Sequence, residues 1–235
     1  MPTGVIINVL SVALGGLAGS MAGSRLPEQL KQQMNMIFGI CALGMGVSSV
    51  VLMENMPAVV FSVIVGTLVG LWLKLGERIQ GISRKALASL VRSQEEDAWK
   101  LLLTATVLFC ASGTGIYGSL DSGMTGNHSI LIAKSVLDFF TAMIFACQLG
   151  KVTSLIAIPQ AVVMGSLFFL AKLILPMTNP VMIADFKACG GFILLATGIR
   201  MMKIKELPIA DMIPAMILVM PVSYFWAQIL LPLIG

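Results

Sequence analysis

The sequence predicts an all-α membrane protein, a polytopic bundle of about eight transmembrane helices. Three observations lead there. Of the 235 residues, 57% are hydrophobic and only 11% are charged, whereas a soluble domain usually carries about 25% charged residues. The mean hydropathy is +0.96. Apolar runs close to the ~20 residues that cross a bilayer recur along the whole chain.

Eight such segments are drawn at about 4–23, 35–53, 57–74, 100–119, 130–149, 152–171, 181–199 and 209–232. The first lacks a basic stretch before it, and Arg25 comes after its apolar run. That is the reverse of a cleaved signal peptide, so the first helix is expected to stay. Connections are short except the one from Leu75 to Trp99. Residues 76–98 read as a cytoplasmic amphipathic connecting segment, with Ile79, Ile82, Leu87 and Leu90 as anchors. The rest, residues 1–235, is expected to be one integral membrane domain. Pro208, Pro214 and Pro221 are expected to bend the eighth span.

Charge sets the expected orientation. Arg25, Lys31, Lys74, Arg78, Arg84, Lys85, Arg92, Lys100, Lys151, Arg200, Lys203 and Lys205 are twelve of the fifteen basic residues, and eight spans put them all on one side. Positive charge collects on the cytoplasmic side, so both termini are expected outside, in the periplasm of a bacterial inner membrane. The formal charge of +4 is loop charge facing lipid headgroups and cytoplasm. It comes without interleaved aromatics, so no nucleic-acid partner is expected. Lys172, near an outer end, can snorkel, and Lys187 beside Asp185 reads as an interfacial pair. Asp185 and Asp211 lie near span ends, where interfacial water accounts for them.

The four cysteines, Cys41, Cys110, Cys147 and Cys189, lie in apolar segments without paired spacing. They read as small hydrophobes, and no metal site or cofactor is expected. Gly15, Gly19 and Gly23 recur every four residues, as do Gly66 and Gly70, a spacing that lets helices approach closely. Such faces serve packing within the chain or between copies, so a homo-oligomer is an open expectation.

An internal repeat is also suggested. Gly39, Leu43, Gly46, Glu54 and Ala58 recur as Gly191, Leu195, Gly198, Glu206 and Ala210, with Asn8 opposite Gln160 and Trp72 opposite Tyr224. Spans 1–3 would then match spans 6–8. An odd number of intervening crossings inverts the second copy, as in many transporters.

Intramembrane polarity concentrates between Thr104 and Gln148. Gly113, Gly115 and Gly118 fall within one apparent span, and each costs a helix roughly 1 kcal/mol relative to alanine. One reading is a helix broken at membrane depth, its freed backbone lining a site with Ser112 and Thr114, and with Asp121 and Ser122 capping the outer turn. The other is a plain loop after a short span.

Lys134-Ser135-Val-Leu-Asp138 puts a base and an acid one helical turn apart, with Thr141 on the same face. At ~1.5 Å per residue from Ser129, Asp138 lies roughly 13 Å deep, near the midplane. A carboxylate there must be paired, protonated or in water. A Lys134–Asp138 bridge that fixes helix packing and a role in a substrate or proton path both remain open. Asn8 and Gln160 read singly as interhelical hydrogen bonds. No catalytic constellation emerges. His128 is the sole histidine, and no Walker loop, HExxH or paired intramembrane aspartates occur.

Several of these stretches carry a family likeness: Gly4-Val-Ile-Ile-Asn8, Gly15-Gly16-Leu-Ala-Gly19, Arg25-Leu-Pro27, Phe109-Cys-Ala-Ser-Gly113, Gly118-Ser-Leu-Asp121-Ser-Gly123 and Lys134-Ser-Val-Leu-Asp138. Over the whole chain the sequence resembles the uncharacterised bacterial inner-membrane family called domain of unknown function 554. Typical members have glycine after the aspartate of the Lys-Ser-x-x-Asp motif, where this chain has Phe139. The resemblance implies a multi-spanning inner-membrane protein, sometimes presumed a transporter, and brings no substrate.

Two functions follow as expectations. The first is a secondary transporter or channel-like carrier of a small solute or ion. Its binding residues would be Ser112, Gly113, Thr114, Gly115, Asp121, Lys134, Ser135, Asp138, Asn8 and Gln160. The second is a non-transporting scaffold in the bilayer that uses the glycine faces and the 76–98 segment for docking.

Overall fold

The computed structural model describes residues 1–22, 27–79, 81, 102, 105–106, 108–110 and 112–234. Among them every regular element is helical, and eight α-helices have thirteen residues or more. These are α1 Thr3–Ala22, α2 Glu28–Val50, α3 Met56–Trp72, α4 Gly113–Thr125, α5 Ser129–Leu149, α6 Ala157–Ile174, α7 Pro180–Met201 and α8 Ile213–Phe225. The protein is an all-helical membrane bundle. By length and apolar composition, Thr3–Met21, Gln32–Val50, Pro180–Met201 and Ile209–Leu233 can each cross a bilayer. Ser129–Met177, 49 residues long, holds α5 and α6 in series, and Met56–Trp72 is shorter. Residues 80 and 82–98 of the expected connecting segment lie outside the described residues, as do Gly23 and Arg25.

Local chemistry sets the helix ends. Asn179 accepts from the Met182 amide at 2.9 Å and Pro180 opens α7, a side-chain cap followed by a residue whose missing N–H has no intrahelical role. Gly150 has φ +68 and ends α5 in a conformation that glycine adopts without strain. A 3-10 turn, Gly150–Ile156, then delays α6 to Ala157. The sixth segment was expected to begin at 152. In the other direction, α2 starts at Glu28, ahead of the expected 35, because a polar run such as Glu28–Asn35 can be helical without being apolar. The eighth span is interrupted as its prolines suggest: a 3-10 turn at Ile209–Met212, Pro221 inside α8 and a π turn at Trp226–Leu230.

The chain divides into two compact units. One comprises Met1–Ile37 and Arg78–Leu173. In it α1 runs alongside α5 in the same direction, with Gly15 against the Phe139 carbonyl and Gly19 against that of Met143. Ser11 Oγ donates to the Ser135 carbonyl at 2.7 Å on the same seam. Helix α4 runs opposite to α5, with Gly118 on Leu131, and along α6, with Gly123 on the Phe168 carbonyl. Val12, Phe109, Ala142 and Ile156 form one core, and Leu131, Met164 and Phe168 another.

The other unit comprises Phe38–Glu77 and Ile174–Gly235. Helix α3 runs opposite to α8, with Gly66 on Ala215 and Gly70 on the Asp211 carbonyl. The α2–α7 contact is also antiparallel, and its residue pairs exchange under the suggested repeat. Gly39 meets Gly198 while Gly191 meets Gly46, and Gly46 meets Leu195 while Gly198 meets Leu43. Substituting each residue by its repeat partner returns the same set of α2–α7 contacts. Within each unit the helix directions follow the alternation of eight successive spans.

The glycine faces at Gly15, Gly19, Gly66 and Gly70 are thus filled from within the chain. A Cβ on Gly19 would lie 2.1 Å from the Met143 carbonyl oxygen, whereas one on Gly44 would meet nothing within 4 Å. Gly19→Val should therefore cost about 1–3 kcal/mol or more by overpacking. Gly44→Ala should leave stability unchanged or slightly higher. Thermal melts of the detergent-purified variants read both.

Candidate functional site

Helix α5 places Lys134 and Asp138 one turn apart on its buried face, with 2% and 7% of their surfaces exposed. Their side chains are in direct ionic contact. Two further helices supply amides to the same carboxylate. Asn8 of α1 donates through Nδ2 to Asp138 Oδ2 at 2.9 Å, and Gln160 of α6 through Nε2 to the same oxygen at 3.2 Å. Gln160 Nε2 also lies 2.8 Å from Asn8 Oδ1. Asn8 and Gln160, expected to act singly, are fully buried and join the ion pair in one network.

The network is lopsided. Lys134, Asn8 and Gln160 all converge on Asp138 Oδ2, and among the described residues no donor reaches Oδ1. Gln160 Oε1 is buried without a hydrogen-bond partner. A buried oxygen without a donor costs about 1–3 kcal/mol, so this cluster holds more acceptor capacity than its donors satisfy.

A helix break lies beside it. Residues 108–110 are helical, Ser112 turns extended (φ −70, ψ 142), and α4 begins at Gly113. Ser112 Oγ accepts from the Gly115 amide at 3.1 Å and caps the new helix. Gly115 has no side chain, and the stem of Lys134 fills that room. A Cβ there would lie 3.0 Å from Lys134 Cε and 3.2 Å from Met164 Cε. Phe109, just before the break, presents its ring 5.9 Å from Lys134 Nζ. The start of α4, with Gly113 and the buried Thr114, therefore abuts the Lys134–Asp138 pair.

Three expectations need correction. The glycines do not unwind the helix, since α4 runs through Gly113, Gly115 and Gly118, with the extended Ser112 as its cap. They are tolerated because neighbouring side chains occupy the space a Cβ would take. Ser135 does not face Asp138's partners as a ligand: its hydroxyl donates to the Leu131 carbonyl at 2.7 Å, a backbone bond common for intrahelical serine. Asp121 sits two turns beyond Ser112 and accepts from Thr125 Oγ1 at 3.2 Å, not among the groups that touch Asp138. Nearby, Ser122 and His128 share a 2.6 Å hydrogen bond across the outer turn.

One functional-looking residue escaped the sequence reading. Asp185 is fully buried, not solvated at a span end. Its Oδ1 accepts from the amides of Glu54 at 2.9 Å and Asn55 at 2.8 Å, and its Oδ2 from Asn55 Nδ2 at 2.9 Å and Ser223 Oγ at 2.6 Å. These four donors, with no cation beside them among the described residues, make an anchor that fixes the start of α3 to α7 and α8. The pairing of Asp185 with Asn55 spans the same 130 residues as that of Asp138 with Asn8, a regularity that only the contacts reveal. Asp211, by contrast, is half-buried and accepts from the Gly76 amide at 2.9 Å. Lys172 is exposed and lies over the Phe168 ring, 5.0 Å from its centroid. All four cysteines are free, with Cys41 exposed. Among the described residues no three His, Cys, Asp or Glu side chains gather as metal ligands.

A family model described as "Protein of unknown function (DUF554)" matches residues 3–224. The chain belongs to the DUF554 family. It is 46% identical over 230 residues to the "Uncharacterized protein YqgA" of Escherichia coli K12, covering 96% of this chain and 98% of that one. It is 21% identical over 230 residues to the "Uncharacterized membrane protein YdfK" of Bacillus subtilis 168, covering 94% and 95%. No solved structure matches. In this DUF554 chain the two buried aspartates have different partners: Asp185 takes four hydrogen-bond donors, and Asp138 an ammonium and two side-chain amides.

Asp185→Ala should accordingly strand four donors and cost at least about 3 kcal/mol. In a melting experiment it should lower stability far more than Asp211→Ala, whose side chain is half-buried.

Proposed function

We propose that the protein is a carrier, not an enzyme, that moves a small solute or ion across the bacterial inner membrane through the Asp138 site. The supporting observation is the buried Lys134–Asp138 pair with Asn8 and Gln160, set against a helix break at Ser112. An ion pair in the low-dielectric interior is a weak route to stability, because desolvating both charges offsets most of their attraction. Well-packed apolar residues would hold the helices at least as well. Broken helices beside a midplane charge are a common way to build a transport site. The self-exchanging α2–α7 contact supports the same reading, since inverted copies can present one site alternately to two sides.

In this reading Lys134 is the resting-state partner of Asp138. A proton or substrate that takes Lys134's place at the carboxylate releases the α5 face from its tie to α1 and α6. The positive-inside rule places the basic loops in the cytoplasm and both termini in the periplasm.

Two experiments test the reading. Proteoliposomes loaded with ion-sensitive dyes or radiolabelled amino and organic acids should show flux with the wild-type chain. Asp138→Asn strands the Lys134 ammonium and should melt below wild type, yet at a temperature where it remains folded it should carry at least ~10-fold less flux, the scale of about 1.4 kcal/mol in a barrier. Equal flux in the variant, or no flux of any panel member with wild type, contradicts the carrier. For orientation, a cysteine at Asn127 should react with an impermeant maleimide from the periplasm, and one at Lys203 only after the cells are opened.

A further inference from the structure

The surplus acceptors at Asp138 have a definite chemistry. Three donors crowd onto Oδ2, while Oδ1 receives none from the described residues and Gln160 Oε1, fully buried, has no partner. Oε1 shares one carbon with the nitrogen that touches Asp138, so it lies within an amide's width of that contact. Asn8 Oδ1 completes the set of oxygens around the carboxylate. A cluster with spare oxygens and one carboxylate is complementary to a positive charge, and Lys134 supplies it by a tether from the next turn.

We infer that the Asp138–Gln160–Asn8 cluster is a binding site for a compact monovalent cation, an alkali metal ion or ammonium, and that the Lys134 ammonium is its built-in competitor. This rests on the carrier reading for its role in transport, but the binding itself stands on the geometry. One carboxylate matches one positive charge, whereas hard divalent ions draw on several carboxylates or waters. Among the described residues no further acid joins a metal-ligating group there. The ion must be compact because the stem of Lys134 already fills the room beside Gly115. Exchange leaves the charge on the carboxylate balanced: the ion takes Lys134's place, and the ammonium swings off Oδ2. The face of Phe109, 5.9 Å from Nζ, offers that ammonium a cation–π partner.

Removing the tether should expose the competition. The full-length protein is melted in a buffer whose only cation is N-methylglucamine, then with lithium, sodium, potassium or ammonium chloride at constant ionic strength. Lys134→Gln should melt below wild type in the bulky-cation buffer. It should regain several degrees, saturably, with at least one compact cation. The preferred cation in the series distinguishes an alkali ion from ammonium. Wild type should show the same order of cations at a higher half-saturating concentration, because Lys134 competes there. Gln160→Met in the Lys134→Gln background should raise that concentration at least tenfold, and Asp138→Asn in the same background should abolish the response.

A response unchanged by Asp138→Asn overturns the site, as does indifference of both Lys134→Gln and wild type to every compact cation. If Lys134→Gln cannot be purified without a compact cation but can with one, the proposal is supported. If it cannot be purified under either condition, titration of wild type against Asp138→Asn decides, and a flat wild type overturns it. Flux without a cation response would leave the carrier and remove this inference; a cation response without flux would do the opposite.

Discussion

A carboxylate buried among helices in a low-dielectric bundle dictates much of the surrounding unit. A lone charge is costly in such a place. Lys134 from the same helix gives Asp138 a charge partner, and α1 and α6 each bring an amide to the same oxygen. For those amides to reach it, α1 must lie very close to α5. Gly15 and Gly19 permit this by letting the α5 carbonyls at Phe139 and Met143 sit where side chains would otherwise be. Site and packing are therefore one constraint: the glycine seam positions Asn8, and Asn8 makes the seam productive.

The second unit solves a similar problem to a different end. Its carboxylate, Asp185, accepts from amides and a hydroxyl and meets no cation among the described residues. Charge-assisted hydrogen bonds from backbone amides hold an anion firmly, so Asp185 behaves as a fixed knot at the start of α3. Asp138 instead is held by one ammonium and two side-chain amides. Two aspartates at equivalent spacing from an asparagine thus have different surroundings, donors alone in one unit and an ion pair in the other.

Much of this was legible in the sequence, and the failures have physical causes. Helices showed as apolar runs, and the Lys134–Asp138 pairing followed from the pitch of one helix. The four-residue glycine spacing announced close helix contacts. The break near Ser112 was visible as a glycine-rich interruption. Its mechanism was not, because glycine signals helix cost without telling whether a neighbour such as Lys134 fills the vacated space. Asn8 and Gln160 looked solitary because their partners lie 130 and 22 residues away, beyond any local periodicity. Asp185 was misread because distance along a helix was taken for depth. Burial there comes from Asn55 and Ser223 folding over it, a tertiary fact.

Lys134 and Asp138 form one energetic unit at the heart of the first helical cluster. A double-mutant cycle on thermal stability, using Lys134→Met, Asp138→Leu and the two together, tests it most directly. The account predicts that each single change strands a buried charge and is costly. The double change should be less costly than the sum by at least about 2 kcal/mol, the coupling expected of groups in contact. Losses that add to within about 0.5 kcal/mol would show that the two side chains do not depend on each other, and would contradict it.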